Sequence, residues 1–213
     1  MSKYIAVLIK EGEHQQLDFK HSISDSKKIA RSLVAFANTH GGKLLLGVKD
    51  NGNVVGVNSD EEYYMVEAAA QLYCRPKVPF SVVRWEINGK VVLEVIVKPK
   101  PRTLHKAPDK NGKYKVFFRL NDQNVLATPL QVKVWNAKHH RRTVNYSLTK
   151  HDEILIKHLR EKKRISIDEY SKIGFLPHRE AERRLIDLVV LGVVEFESNA
   201  HCEEFVLITS IED

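Results

Sequence analysis

Apolar and polar positions change rhythm several times along the chain, and each change marks a predicted element. The apolar, β-branched run from Tyr4 to Ile9 predicts a strand, and Glu11-Gly12-Glu13-His14 a turn. Leu17-Asp18-Phe19-Lys20 alternates, as a half-buried strand does. A helix follows to about Thr39, N-capped by Asp25 or Ser26. Its Ile29, Leu33 and Phe36 fall at i, i+4, i+7 and form a buried stripe, with Lys27, Lys28 and Arg31 on the opposite, wet face. Gly41-Gly42 ends it, because glycine accepts the positive φ of a C-terminal cap. Lys43 to Val48 predicts a strand buried on both faces through Leu44-Leu45-Leu46. The turn Asp50-Asn51-Gly52-Asn53 leads to a returning strand, Val54 to Val57.

A second helix is predicted from Asp60 to about Tyr73, with Met65, Ala68, Ala69 and Leu72 facing the core and Pro76 and Pro79 closing it. Phe80–Ile87 and Val91–Val97 read as a hairpin around Asn88-Gly89-Lys90. Residues 98–115 read as a loop, Tyr114–Leu120 as a strand, and residues 125–135 as either a short helix or a strand. Beyond His139-His140-Arg141-Arg142 the pattern changes. Thr149 caps a helix to about Lys163, with Ile154, Leu155, His158 and Leu159 inside. Then come a short extended Ile165-Ser166-Ile167, a helix Asp168–Ile173, a turn Gly174-Phe175-Leu176 and a helix from Pro177 to Leu191. Val193–Glu197 and Glu204–Ile208 pair as a hairpin. That order of elements is the one a winged helix-turn-helix has.

The expected architecture is therefore α+β: a mixed α/β domain with several hairpins over residues 1–136, a basic linker over 137–147, and a small winged helix over 148–213. The 43% hydrophobic content is enough for a real core. No run near ~18 apolar residues occurs, so no membrane span is expected. The first residues lack the apolar stretch and cleavage site of a secretion signal. Cys74 and Cys202 are far apart, which fits a reducing cytoplasm rather than a disulfide framework.

Net charge changes the picture more by where it lies than by its size. The chain carries +7 overall. Residues 1–135 hold 21 basic and 13 acidic residues, whereas residues 147–213 hold 10 basic and 14 acidic. The excess sits in the first domain and linker, where a polyanion would be bound.

The most specific motif spans residues 11–57. It comprises Gly12-Glu13, Leu17-Asp18-Phe19-Lys20, Ala35-Phe36-Ala37-Asn38-Thr39-His40-Gly41-Gly42, Leu45-Leu46-Gly47-Val48-Lys49-Asp50, Gly52 and Val55-Gly56-Val57. With Phe118-Arg119 and Ala127-Thr128 further on, this resembles the AlbA_2, or Schlafen AlbA-like, family over roughly residues 10–130. The chain departs from the family pattern at Asn121, where glycine is common. The resemblance implies a mixed α/β fold and nucleic-acid binding, with DNA favoured over RNA. No Gly-x-x-x-x-Gly-Lys-Ser/Thr loop is present, which argues against ATP hydrolysis.

The resemblance also implies an alternative. In Schlafen nucleases the positions matching Glu13, Asp18 and Asp50 form an endoribonuclease site, and such carboxylates would hold Mg²⁺ or Mn²⁺. Here Asp18 stands where glutamate is usual. The same three residues admit a structural reading: Glu13 in a turn, Asp18 paired with Lys20, and Asp50 opening a hairpin turn. The lead reading needs no cofactor and no metal.

Candidate phosphate contacts are Lys20, Lys27, Lys28, Arg31 and Arg119, together with a dense basic stretch. That stretch holds Lys98, Lys100, Arg102, Lys106, Lys110, Lys113 and Lys115, opposed only by Asp109. His105 and Tyr114 are candidates for stacking on unpaired bases. On the helix from Pro177, the core stripe is Ala181, Leu185, Leu188 and Val189, and Arg179 and Arg183 lie opposite it, where a recognition helix meets the major groove. Glu180, Glu182 and Asp187 flank those arginines and would repel phosphates, so protein contact is the competing expectation there. His139 and His140 read as part of a solvated linker, Cys74 and Trp85 as packing residues. The expected function is thus a DNA-binding transcriptional regulator, with the metal-dependent endoribonuclease as the alternative. Winged-helix regulators are commonly two-fold symmetric, so a homodimer is the corresponding expectation.

Overall fold

The computed structural model describes residues 3–57, 60–139, 146–198 and 202–208. They form a mixed α+β fold that divides into two compact units, residues 1–127 and 128–213. Of the expected basic linker, His140, Arg141 and Arg142 lie outside the described residues.

The first unit is built on a four-stranded sheet of order β1 (Leu17–Lys20), β2 (Gly42–Leu46), β4 (Lys90–Val97), β3 (Ser81–Ile87). β1 and β2 are parallel; the other pairs are antiparallel. Leu44 and Leu46 of β2 face one core and Leu45 the other, so the triple leucine is buried on both sides. The hairpin at Asn88-Gly89 has positive φ at both residues, the signature of a tight type I′ turn.

The expected strand at Tyr4–Ile9 is instead part of helix α1 (Lys3–Glu11). A short apolar run fits either period; here Ile5 and Leu8, three apart, are buried together with Leu17, Phe19, Leu45, Val48, Ile87 and Val92 on one face of the sheet. Buried Glu94 of β4 fixes the same helix. It accepts hydrogen bonds from Tyr4 Oη (2.5 Å) and Trp85 Nε1 (2.9 Å), and Lys43 Nζ stands 3.9 Å away. A charge can be buried there because three donors surround it.

Helix α2 (Ser26–Asn38) covers the opposite face, N-capped by the Asp25 side chain on Lys27 N. It carries a second layer, the sheet β5 (Lys106–Pro108), β6 (Tyr114–Leu120), β7 (Gln123–Leu126). Helix α3 (Glu61–Leu72) buries Ala69 as expected, together with Val66 and Ala70, whereas Met65 and Ala68 are half-buried and Leu72 is exposed. The small side chains of Ala69 and Ala70 let α3 lie close against α2, and Leu72 is left 65% exposed. The returning strand expected at Val54–Val57 is reduced to one bridge, Val54 to Val48. The Gly47 carbonyl accepts from both Val55 N and Gly56 N, and a Cβ on Gly47 would meet the Gly56 backbone at 2.8 Å. So close a crossing demands glycine and curls the chain away from strand geometry.

The second unit holds α4 (Pro129–His139), α5 (Lys150–Lys162), β8 (Arg164–Ile165), α6 (Ile167–Ile173), α7 (His178–Val190), β9 (Val194–Ser198) and β10 (Glu203–Leu207). Its sheet has the order β8-β10-β9. The ambiguous segment at 125–135 resolves into the end of β7 and most of α4, and Val134 of α4 shares a core with Leu185 and Ile186 of α7. Thr149 and Asp152 form a capping box at the start of α5. In α5, Leu155 and Leu159 are buried as expected, whereas Ile154 is exposed. Asp152 is also buried; it accepts from Tyr146 Oη and from Arg184 Nη1 at 3.3 Å. Among the described residues, no helix is long and apolar enough to cross a membrane.

Candidate nucleic-acid interface

The cations proposed for phosphate contact fall into two groups in the folded chain. Lys27, Lys28, Lys98, Arg102, Lys106, Lys110, Lys113 and Lys115 are exposed, Arg31 and Lys100 half-buried, and none of them forms an ion pair with another described residue. The segment 98–115 that carries most of them is ordered, not a slack loop. Lys100 N bonds Ala37 O at 2.8 Å, β5 pairs with β6, and Asp109 is spent inside its own turn, accepting from Asn111 N and Lys113 N. The one acidic residue of the stretch is therefore ion-paired with none of its cations among the described residues.

Lys20 and Arg119 belong to the other group. Arg119 is 3% exposed and is not a nucleic-acid contact. Its Nη2 donates to His14 O (3.3 Å) and Leu17 O (3.2 Å) and stands 3.4 Å from Asp18 Oδ1, while Nη1 donates to Asn124 Oδ1 (3.2 Å). Those partners draw the guanidinium inside. Lys20 Nζ lies 3.2 Å from Asp18 and 3.7 Å from Glu13, so its charge is committed to carboxylates. His105 is also buried, not available for stacking. Its N–H donates to Asn38 Oδ1, and burial holds its imidazole below the usual histidine range.

Glu13 and Asp18 meet at Lys20, and Glu13 Oε1 accepts from Phe19 N at 2.8 Å. Burial, and after it the neighbouring Asp18, raises the Glu13 carboxyl above its ordinary range against the pull of the Phe19 N–H. Asp50 stays exposed in its turn, and among the described residues no group of three metal-ligating side chains forms. The two carboxylates that do meet are already faced by Lys20 and Arg119. A divalent ion would have to displace a cation from them, so this arrangement does not fit Mg²⁺ or Mn²⁺.

In the second unit, Arg179 is exposed and Arg183 lies between Glu180 and Asp187, 3.8 Å from each. Carboxylates three and four residues away hold Arg183 along its own helix. Both arginines border a groove of about 680 Å³ between α4 and α7, where Lys133 is paired with Glu182. Cys74 is buried, and burial pushes its thiol up to about 12.

The sequence reading missed Arg75 and Tyr73. The Arg75 guanidinium lies over the Tyr114 ring, 4.0 Å from its centroid, and Lys27 Nζ lies 5.8 Å from the Tyr73 centroid. Arg75 stands alone before a proline, with no periodic pattern to mark it.

The family model for Schlafen, AlbA_2 matches residues 13–128, more than half of the chain. The chain belongs to the Schlafen AlbA_2 family. Several AlbA_2 motif residues have structural work in this fold. Asn38 Nδ2 donates to His105 O and Phe117 O, joining the end of α2 to the second sheet. Thr39 Oγ1 accepts from Arg119 N, and a Cβ on Gly42 would strike the Phe36 ring at 2.3 Å. Asn121 takes φ +54°, a conformation asparagine tolerates, so the departure from glycine is accommodated.

No curated protein matches the chain. Among solved structures, the DIP2311 protein from Corynebacterium diphtheriae is 19% identical with a TM-score of 0.46; the match covers 59% of this chain and 24% of that one. This chain thus spans about a quarter of that protein's length. The N-terminal domain of a RecG-related protein from Nitrosomonas europaea is 16% identical with a TM-score of 0.35, covering 69% of this chain and 95% of that domain.

Proposed function

We propose that the chain is a nucleic-acid-binding protein that acts as a DNA-binding transcriptional regulator. Phosphate affinity comes from the AlbA_2 unit, at Lys27, Lys28, Arg31, Lys98, Lys100, Arg102 and Lys106. The observation that carries this reading is the set of unpaired cations held on the ordered 98–115 segment, whose single carboxylate is consumed in a turn. Such charges remain available to displace counterions from a phosphate backbone, an affinity that does not depend on base sequence.

The second unit supplies the specific contacts. Its order of helix, strand, two helices and hairpin, with the first strand beside the last, supports reading it as a winged helix. Arg179 is its available cation for a groove, whereas Arg183 must first leave Glu180 and Asp187. A homodimer in a reducing cytoplasm completes the reading.

The test is a binding and cleavage assay on the same samples, with duplex DNA, single-stranded DNA and tRNA, with and without Mn²⁺. Binding without cutting, weakened by charge reversal at Lys98, Arg102 and Lys106, supports the regulator. Metal-dependent cutting of RNA that is lost in Asp18→Ala would replace it with the endoribonuclease.

A further inference from the structure

Two cation–aromatic pairs, each an exposed cation over a half-buried ring, lie close along the chain of the first unit at Tyr73 and Arg75. The residues that join them, 72 to 75, run directly from the end of α3. Arg75 is presented rigidly: its N–H and C=O both bond Lys106, at 2.8 Å each. Side chains directly opposite in an antiparallel bridge project to the same side, so Lys106 and Arg75 leave the backbone on one face. Tyr114, two residues before the Val116 partner of Lys106, shares that side and lies under Arg75 at 4.0 Å. The Tyr114 hydroxyl reaches back to Leu72 O at 3.4 Å. Leu72 itself is a large apolar side chain left in water, and Lys27 covers Tyr73 next to it.

This is an unusual surface. Among the described residues Arg75, Lys106 and Lys27 have no carboxylate partner, so the face keeps its charge. Among the described residues the guanidinium stacks on Tyr114 alone, and Arg75 is exposed. A planar cation so placed offers its outer face to another flat, electron-rich ring. We propose that this face, formed by Arg75 on Tyr114, Lys27 on Tyr73, Lys106 and Leu72, binds unpaired bases of single-stranded nucleic acid. The proposal rests on the nucleic-acid reading above and narrows it to a class of strand.

The chemistry selects that class. In a duplex, base faces are occupied by their neighbours and a guanidinium plane has nothing to stack on. In a single strand they are free, and stacking on aromatic or guanidinium planes is the usual means of holding them. Lys106 and Lys27 then neutralise the flanking phosphates, and Leu72 supplies apolar contact to a ring edge.

The experiment measures binding of the full chain to three probes: an oligothymidine, an abasic phosphodiester strand of equal length, and a duplex. The wild-type protein binds oligothymidine about ten-fold more tightly than the abasic strand. Arg75→Lys, which keeps the charge and removes the plane, abolishes that difference while leaving duplex affinity unchanged. Lys106→Ala weakens all three probes alike. Thermal melting of each variant checks that it is folded, and the wild-type comparison of thymidine with abasic strand needs no variant. Equal affinity for those two strands, or discrimination that survives Arg75→Lys, overturns the stacking face but leaves the regulator standing. Failure to bind any of the three probes at low salt overturns both.

Discussion

Arg119 Nη2 lies 3.4 Å from Asp18 Oδ1, and both side chains are almost fully enclosed. The pair links β6 to β1 across the two sheets of the first unit, with Arg119 also holding the carbonyls of His14 and Leu17. Removing Arg119 leaves the enclosed Asp18 facing Lys20 alone among the described cations, and takes a donor from Asn124 and from the His14 and Leu17 carbonyls. Arg119→Ala therefore lowers the unfolding free energy by about 3 kcal/mol, measured by urea denaturation. Because Arg119 is enclosed, any loss of nucleic-acid affinity in this variant tracks the fraction unfolded. An affinity loss with unchanged stability would restore Arg119 to the interface.

Asp152 gives the second unit a defined pH dependence. Burial disfavours its charge, but hydrogen bonds from Tyr146 and Thr149 and the neighbouring Arg184 outweigh that and hold its carboxyl below the ordinary range. A carboxyl depressed in the folded state contributes stability that is present above its unfolded value, about 4, and lost as pH falls through the folded one. Thermal melts should show a wild-type advantage over Asp152→Asn at neutral pH that shrinks below about pH 4. A difference independent of pH would mean that the hydrogen bonds, not the charge, matter.

The long elements and the turns were legible in the sequence because each has a local cause. Asp25 caps α2, Asn88-Gly89 turns a hairpin, and Thr149 with Asp152 starts α5. What was not legible depends on partners far along the chain. Tyr4–Ile9 is a short apolar, β-branched run that fits a strand as well as a helix, and only the apolar face of the sheet beneath it makes Ile5 and Leu8 a helical stripe. Glu94 can be buried only because Tyr4, Trp85 and Lys43 are brought to it from elsewhere in the chain. Arg119 reads as a phosphate ligand until the fold brings it onto Asp18, 101 positions away in the chain. For the interface the exposed lysines were legible as a charge run, and the stack of Arg75 on Tyr114 was not, since no spacing rule links residues so far apart.

The two cysteines should differ in reactivity. Cys74 is enclosed, its Sγ directed at Ala30 O, and burial pushes its thiol up to about 12. Cys202 is only half-buried. A disulfide reagent at neutral pH titrates one thiol in the native protein and both in denaturant. Rapid modification of Cys74 in Cys202→Ser would show that the first core opens readily.

Phe175 takes φ +50° and is 91% exposed, while Gly174 before it keeps an ordinary φ of −84°. A left-handed conformation costs a non-glycine residue about 1–2 kcal/mol, and so exposed a ring contributes little burial in return. Phe175→Gly should thus raise the unfolding free energy by about 0.5 kcal/mol once the backbone entropy of glycine is counted. Chemical denaturation measures it; a marked loss of stability would show that the ring packs against the fold after all.

The most direct test of the central claim is the salt dependence of duplex binding. The logarithm of affinity is measured against the logarithm of salt concentration, beginning at low salt. If about five of the exposed lysines and arginines meet phosphates, the slope is about −4 to −5, and it becomes shallower when Lys98, Arg102 and Lys106 are neutralised. A flat line, or no binding at the lowest salt, would contradict the account, because cations held unpaired on the surface would then have no phosphate backbone to meet.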